Sequence, residues 1–156
     1  MKRSILFIIP ALLLASCQRE QRASVVDTTM TTYAFSDPTP TPEMGKIYPY
    51  WSFEQYATRP EERAWKTVVL ENEWLRVEIL PEIGGKIWSI RDKQTGRELL
   101  YRNDVAKFRE IALRGPWTSG GIEFNFGVIG HAPSCSCPVD WRVEKQADGS
   151  ASCFIG

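Results

Sequence analysis

The sequence predicts an all-β protein built as an antiparallel β-sandwich. Apolar and polar residues alternate with a period of two from Leu75 to Ile79, which is the pattern of a strand with one buried face. Turn signals at Asp92–Gly96 and Asp148–Gly149 separate runs that are rich in β-branched and aromatic residues. Beyond the first seventeen residues no helical pattern of substance occurs. Alternation, turn chemistry and the scarcity of helical signals therefore indicate the same fold class.

The chain begins with the pattern of a secretory signal. Two basic residues follow Met1, and the run from Ser4 to Leu14 is apolar but too short to span a bilayer comfortably. Small residues then precede Cys17, and in this respect the segment resembles a bacterial lipoprotein signal. The resemblance implies removal of residues 1–16 and acylation of Cys17, where each buried methylene contributes roughly 0.8 kcal/mol to anchoring. The alternative is an ordinary signal peptide with an incidental cysteine.

The expected location is the bacterial cell envelope, with a membrane as partner through the lipid anchor at Cys17. Gln18 is not the aspartate associated with inner-membrane retention, so the outer membrane is favoured. Lysine plus arginine and aspartate plus glutamate both number 19, which gives no electrostatic footprint for nucleic acid. The sequence does not fix an oligomeric state.

Aromatic residues are numerous, with six Trp, five Tyr and seven Phe. Sugar-binding proteins often have this composition, because a pyranose presents an apolar C–H face to an aromatic ring. The core of any large β-protein accounts for it equally well.

Three cysteines remain when Cys17 is set aside. An oxidising compartment permits one disulfide, from Cys153 to Cys135 or Cys137, with one thiol left over. His131, Cys135 and Cys137 do not predict a zinc site, since structural sites use wider spacing and a fourth ligand. No metal and no cofactor is predicted.

The N-terminal third contains weak strand signals. Residues 17–44 are expected to form a polar tether, with a short edge strand at Thr31–Phe35 and a stiff segment at Asp37–Pro42. Ile47–Phe53 is aromatic and β-prone, and its proline favours an edge position. Thr58–Ala64 indicates a turn or a single helical turn.

The strand signal then becomes regular. Asn72 marks a turn, Pro81 ends a strand, and Gly84–Gly85 permits a turn or bulge with positive φ. Gly96 supplies the left-handed residue of a hairpin loop. Four strands are predicted here, at Lys66–Leu70, Trp74–Leu80, Lys86–Arg91 and Arg97–Tyr101.

The remaining chain alternates loops with short strands. Asn103–Leu113 is ambiguous between a short helix and an irregular strand. Loops are predicted at Arg114–Gly121 and Gly127–Ser136, and strands at Ile122–Phe126, Val139–Glu144 and Ser150–Ile155.

The last strand runs to the end of the sequence without a closing partner. Large β-sandwiches occupy about 200–250 residues. We therefore expect residues 45–156 to be the N-terminal part of a longer sandwich domain. A small complete sandwich is the alternative.

Three segments together resemble a known family: Trp74–Ile90, Arg114–Phe126, and Gly130–His131 followed by Pro138–Trp141. The family is the galactose-mutarotase-like domain of unknown function 5107, found in bacterial exported proteins and often followed by tetratricopeptide repeats. The similarity runs from about Thr31 to the C-terminus. It implies a β-supersandwich whose concave face holds a sugar.

The resemblance also implies a site. Glu123 and Asn125 occupy alternate positions of one short strand and would project to the same face. Glu123 and His131 are the catalytic candidates, and the substrate-binding candidates are Asn125, Arg114, Trp117 and Asp140. Each candidate also has a structural alternative. Glu123 and Arg114 would be surface charges, Asn125 and His131 would hold turns, and Asp140 would be an ordinary strand residue. Between His131 and Pro138 the sequence departs from the family pattern, with Ser134–Cys137 replacing a Ser/Thr-rich stretch.

The implied activity is the processing of oligosaccharides. Glycoside hydrolysis normally uses two carboxyl groups at a set separation, whereas a mutarotase needs one acid and one base. A non-catalytic carbohydrate-binding module, an interaction platform or an inactive truncated chain are the competing hypotheses.

Overall fold

A computed structural model describes residues 21–34, 59–110, 116–125 and 133–156. These residues form an all-β structure, which confirms the predicted fold class. Short 3-10 turns occur at Pro81–Ile83 and Pro133–Ser136. The described strands are β1 Arg22–Tyr33, β2 Glu61–Glu71, β3 Leu75–Leu80, β4 Lys86–Asp92, β5 Val105–Glu110, β6 Pro116–Thr118, β7 Trp141–Lys145 and β8 Ala151–Ile155.

The strands form a six-stranded sheet and a two-stranded sheet. The order in the large sheet is β4-β3-β2-β1-β5-β6, and β7 pairs with β8. Neighbours are antiparallel except β1 and β5, which run parallel with Thr31 opposite Val105. The large sheet is therefore mixed, whereas the sequence predicted an antiparallel arrangement.

Strand β1 corrects the predicted tether. It covers 12 residues and lies between β2 and β5, so it is an interior strand and not a short edge strand at residues 31–35. Its polar residues have cross-strand partners: Lys66 Nζ lies 3.0 Å from Asp27 Oδ1, and Thr67 Oγ1 donates to Thr28 Oγ1 at 2.8 Å. Pairing of this kind stabilises a strand without apolar alternation, which is why the sequence pattern concealed it.

Strand β2 also begins earlier than predicted. Glu61–Ala64 belongs to the strand, with Glu61 opposite Thr32, although the sequence indicated a turn. The predicted strand at Ile47–Phe53 lies outside the described residues.

Several turn predictions are confirmed. Asn72 Oδ1 accepts hydrogen bonds from the backbone N–H groups of Trp74 and Leu75, both at 2.8 Å. Gly84 and Gly85 both have φ of 65°, and Gly96 has φ of 72°. The strands predicted around these turns appear as β2, β3 and β4.

Within the described residues, two predicted strands are reduced to single bridges, and Phe126 at the end of the second lies outside them. Glu98 pairs only with Arg91, and Ile122 only with Ile87. Backbone hydrogen bonds flank the bridge at Glu98, from the Leu99 N–H to the Ile90 carbonyl at 2.8 Å and from the Asp92 N–H to the Arg97 carbonyl at 2.9 Å. The Glu98 carboxylate also accepts from Ser89 Oγ at 2.7 Å and from Arg91 Nε at 3.1 Å. Conversely, Pro116–Thr118 forms β6 inside a predicted loop, where it pairs with β5.

The hydrophobic core joins strands β1 to β5 and the turn after β3. The rings of Trp65 and Phe108 lie 5.6 Å apart, and Trp65 Nε1 donates to Thr32 Oγ1 at 3.0 Å. Full burial of one such side chain stabilises the fold by about 1.5–3 kcal/mol. The cluster comprises Met30, Trp65, Leu80, Ile83, Trp88, Ala106 and Phe108.

The β7–β8 hairpin packs against the large sheet near the start of β4. Ile155 occupies the space that a Cβ at Gly85 would need. The Gly84 N–H donates to the Cys137 carbonyl at 2.8 Å, and the Val139 N–H donates to the Pro81 carbonyl at 3.0 Å. The described residues contain no helix long and apolar enough to cross a membrane. Cys17 lies outside them.

Candidate functional site

A glycine pair brings the candidate site together. Gly120 and Gly121 have φ of 91° and 67°, values that L side chains rarely adopt. A Cβ at Gly121 would collide with the backbone carbonyl of Ile87. In this close approach the Ile122 N–H donates to that carbonyl at 2.9 Å. The contact places Glu123 beside the first residues of β4.

Glu123 and Asn125 contact each other directly. Asn125 Nδ2 donates to Glu123 Oε1 at 2.8 Å. The Glu123 side chain is only 14% exposed, whereas Asn125 is exposed. The structure thus brings together the two residues that the motif predicted on one face, with the carboxylate mostly buried and the amide at the surface.

Lys86 lies behind Glu123, and sequence reasoning missed it. Its side chain is 2% exposed, and Nζ donates to the Thr118 carbonyl and lies 3.8 Å from Glu123 Oε2. Burial lowers the pKa of Lys86 below its usual range, and the nearby Glu123 carboxylate opposes that shift. One available signal was its position two residues before Trp88, because residues at this spacing share a face and Trp88 is in the core.

Cys135 is the second residue of this site that sequence reasoning missed. It is buried in the turn Pro133–Ser136. Burial raises the pKa of its thiol to about 11, the Glu123 carboxylate adds to the rise, and the Lys86 ammonium opposes it. At neutral pH the thiol is therefore protonated and donates to the Glu123 carboxylate next to the ion pair.

The predicted disulfide is not formed in the part of the chain that the structure describes. Cys135, Cys137 and Cys153 carry free thiols. Cys153 lies in β8 opposite Val143, while Cys135 is held beside Lys86 and Glu123. Among the described residues, no group of three His, Cys, Asp or Glu side chains is arranged to hold a metal ion.

The other predicted site residues lie elsewhere. Trp117 sits in β6 opposite Arg109 and is half-buried. Asp140 is exposed at the open end of the β7–β8 hairpin, where its N–H donates to the Gly156 carbonyl at 2.9 Å. Arg114 and His131 lie outside the described residues. Of the predicted set, the structure therefore brings together Glu123 and Asn125.

The cluster has a definite chemical capacity. The Glu123 carboxylate accepts hydrogen bonds or a proton, and the Asn125 amide both donates and accepts. Lys86 supplies a positive charge that is fixed by a backbone carbonyl and shielded from water. The cluster of these three side chains suits the recognition of hydroxyls, and its carboxylate suits the removal of a proton from one of them.

Comparison with known proteins places this arrangement in a family. The family model of the domain of unknown function DUF5107 matches residues 42–156. The chain belongs to the DUF5107 family. The match contains the glycine pair, Glu123, Asn125, Lys86 and Cys135, and it begins later than the expected start near Thr31.

A solved structure supports the fold of this DUF5107 domain. It is a TPR-domain containing protein from Parabacteroides distasonis, with 31% sequence identity and a TM-score of 0.66. The alignment covers 82% of this chain and 23% of that one. The DUF5107 chain therefore corresponds to less than a quarter of that protein's length.

Proposed function

We propose that the protein is an exported, lipid-anchored protein that processes oligosaccharides by acid–base chemistry. In this proposal the fold is a galactose-mutarotase-like β-supersandwich, Glu123 is the acid–base carboxylate, Asn125 contacts a sugar hydroxyl and His131 is the proton partner. The observation that carries the proposal is the mostly buried Glu123 carboxylate, which accepts a hydrogen bond from Asn125 at 2.8 Å and lies beside a buried lysine.

The geometry supports a sugar better than other small substrates. A saccharide presents closely spaced hydroxyls, and an adjoining carboxylate and amide match two of them with complementary acceptors and donors. Asn125 is the exposed member of the cluster, so a ligand approaches from its side. With equal numbers of acidic and basic residues, the chain offers no general attraction for polyanions.

The location proposed for the protein is the cell envelope, probed through Cys17. Mass spectrometry of the membrane fraction is expected to find a mature N-terminus at Cys17 carrying acyl chains. Replacing Cys17 with Ser is expected to release the protein from the membrane. An unmodified N-terminus at another position would contradict the anchor.

The function is tested with the complete protein and a panel of neutral gluco-, galacto- and manno-oligosaccharides. Hydrolysis is followed by release of reducing ends and mutarotation by polarimetry. Glu123→Gln keeps the shape of the side chain and removes its charge, so turnover is expected to fall by about 100-fold or more. Glu61→Gln, an exposed glutamate in β2, is the matched control and is expected to leave turnover unchanged. Equal activity of Glu123→Gln and the wild type would reject the catalytic role.

A non-catalytic carbohydrate-binding module is the second candidate function, and one feature favours it. Asp140 and Trp141 line a hollow of about 270 Å³ that also includes Arg142 and Phe154, and Trp141 and Phe154 are 37% and 45% exposed. An exposed aromatic ring beside charged groups suits a sugar ring, which has an apolar face and polar edges. Under this alternative, Trp141→Ala weakens binding to the same panel and Glu123→Gln changes neither binding nor turnover.

A further inference from the structure

We propose that Lys86 is a positioning residue that keeps Glu123 ionised, so that Glu123 accepts a proton and does not donate one. The proposal rests on the proposed function for the role of Glu123 and adds the direction of proton transfer. It assigns this carboxylate to the base step of sugar ring opening. Glu123 takes the proton of the anomeric hydroxyl, the bond between the anomeric carbon and the ring oxygen breaks, and the ring oxygen takes a proton from another residue or from water. A glycosidic leaving group would then need its proton from another residue.

The first step of the argument is the burial of Lys86. It follows the glycine turn Gly84–Gly85 and opens β4 opposite Leu80, a core residue. An ammonium group in this environment is costly unless it is paired and hydrogen-bonded. The Thr118 carbonyl accepts one of its three donors and provides no charge. Lys86 therefore needs an anion nearby.

The second step is that Glu123 supplies this anion. Its Oε2 lies 3.8 Å from Lys86 Nζ, and the two side chains are 14% and 2% exposed. Attraction between charges strengthens as water is excluded, so this pair interacts more strongly than an exposed pair at the same distance. Protonating Glu123 would leave the buried ammonium without its counter-charge.

The third step concerns the two carboxylate oxygens. Oε1 accepts a hydrogen bond from the Asn125 amide, Oε2 faces Lys86, and the protonated Cys135 thiol also donates to this carboxylate. Hydrogen bonds and positive charge directed at a carboxylate both favour its ionised form. The anionic Glu123 is then prepared to take a proton from a substrate hydroxyl on its exposed side.

Direct titration of Glu123 tests the proposal. In the full chain labelled with carbon-13 glutamate, the Glu123 carboxyl resonance is followed by NMR between pH 2 and 8 and assigned with Glu123→Gln. The wild-type midpoint is expected below about 4.3, the ordinary value for glutamate. In Lys86→Met the midpoint is expected to rise by about one pH unit or more, and in Lys86→Arg to remain close to wild type.

Lys93→Met is the matched control, because Lys93 forms an exposed ion pair with Glu71. This variant is expected to raise the titration midpoint of Glu71 and to leave the midpoint of Glu123 unchanged. A folded Lys86→Met protein in which Glu123 titrates as in the wild type would overturn the proposal. If Lys86→Met does not fold, the wild-type midpoint decides, and a value at or above about 4.3 overturns it.

The titration needs no saccharide, so it separates this proposal from the proposed function. A low Glu123 midpoint without any sugar turnover supports the positioning role of Lys86 and rejects the proposed enzymatic function. Where turnover is found, the acid limb of its pH profile is expected to shift to higher pH in Lys86→Met and to stay in place in Lys93→Met. Turnover with an unmoved acid limb in a folded Lys86→Met protein rejects the positioning role alone.

Discussion

Two lysine–glutamate pairs in this protein differ in burial and therefore in what they do. Lys93 Nζ lies 2.5 Å from Glu71 Oε1, and these side chains are 35% and 29% exposed. Lys86 and Glu123 are farther apart, at 3.8 Å, but are almost excluded from water. A surface pair contributes about 0–1 kcal/mol, whereas breaking a buried pair costs about 3–5 kcal/mol because one charge remains uncompensated. Burial, and not distance, distinguishes the Lys86–Glu123 pair from the surface pair.

The surroundings of the two pairs explain the difference. Glu71 also binds Arg76 at 3.1 Å, and water reaches both partners. Its hydrogen bond with Lys93 is the main cause that holds the pKa of Glu71 below its usual value. Lys86 instead faces the core and a backbone carbonyl, so Glu123 is the charge that compensates it.

The largest expected effect is that of removing the buried ammonium. Lys86→Met is expected to lower the free energy of unfolding by about 3–5 kcal/mol, because the Glu123 carboxylate loses its partner in a sheltered position. Lys93→Met is expected to cost about 1 kcal/mol or less. Urea denaturation of both variants at pH 7 measures the two values. Equal losses would show that burial does not separate the pairs.

A second comparison concerns the glycines that shape the site and the distal hairpin. Gly121→Ala combines a left-handed φ with a collision against the Ile87 carbonyl, and we expect a loss of about 2–4 kcal/mol. Gly149→Ala shares the positive φ but has nothing within 4 Å of its Cβ. The loss there is expected to be about 1–2 kcal/mol. Thermal and urea unfolding compare the two, and an equal loss would remove the argument from close approach.

The Cys135 thiol makes the stability of the fold depend on pH. Its pKa rises from about 9 in an ordinary environment to about 11 in the fold, so the protonated thiol stabilises the native state. This contribution is complete below pH 9 and is lost as the pH rises towards 11, to a total of roughly 2–3 kcal/mol. Cys135→Ala is expected to remove that loss.

Lys86 acts in the opposite sense at alkaline pH, because its lowered pKa makes the folded state more favourable as the ammonium deprotonates. The measurement is therefore the difference in unfolding free energy between the wild type and Cys135→Ala at pH 8, 9, 10 and 11. Parallel curves for the two proteins would contradict the shifted thiol.

The smallest expected effect is at the surface of the hairpin. Arg142 pairs with Glu144 at 2.9 Å, and its guanidinium lies 4.7 Å from the centre of the Phe154 ring. Both partners of the ion pair are exposed, so Glu144→Gln is expected to change stability by about 0.5 kcal/mol or less. A larger loss in urea denaturation would mean that exposure alone does not rank these pairs.

The sequence could predict those parts of the fold that depend on local patterns. Alternation identified β3 and β4, and Gly96 identified the hairpin between β4 and the segment after it. The sequence pattern did not reveal the full length of β1, because polar residues such as Asp27 and Thr28 are stabilised by partners on β2, far away in sequence. Its interior place in the sheet is a tertiary property.

The site, like the fold, could be predicted from the sequence only where it depends on local spacing. The spacing of Glu123 and Asn125 indicated that they would lie together, and they do. Lys86 joins them only because Gly121 lets the chain press on the backbone of β4, a contact between distant segments. Cys135 lies in a stretch that reads as a loop of small residues. The spacing of Lys86 from Trp88 indicates a buried face but not a contact with Glu123, so sequence reasoning could not find this cluster.

A double-mutant cycle tests the central claim that Lys86 and Glu123 act as one buried unit. Urea denaturation at pH 7 is measured for the wild type, Lys86→Met, Glu123→Gln and the double variant, and in parallel for Lys93→Met with Glu71→Gln. We predict a coupling energy of about 1–3 kcal/mol for the buried pair and about 0.5 kcal/mol or less for the exposed pair. Additive losses at Lys86 and Glu123, within about 0.5 kcal/mol, would contradict the account.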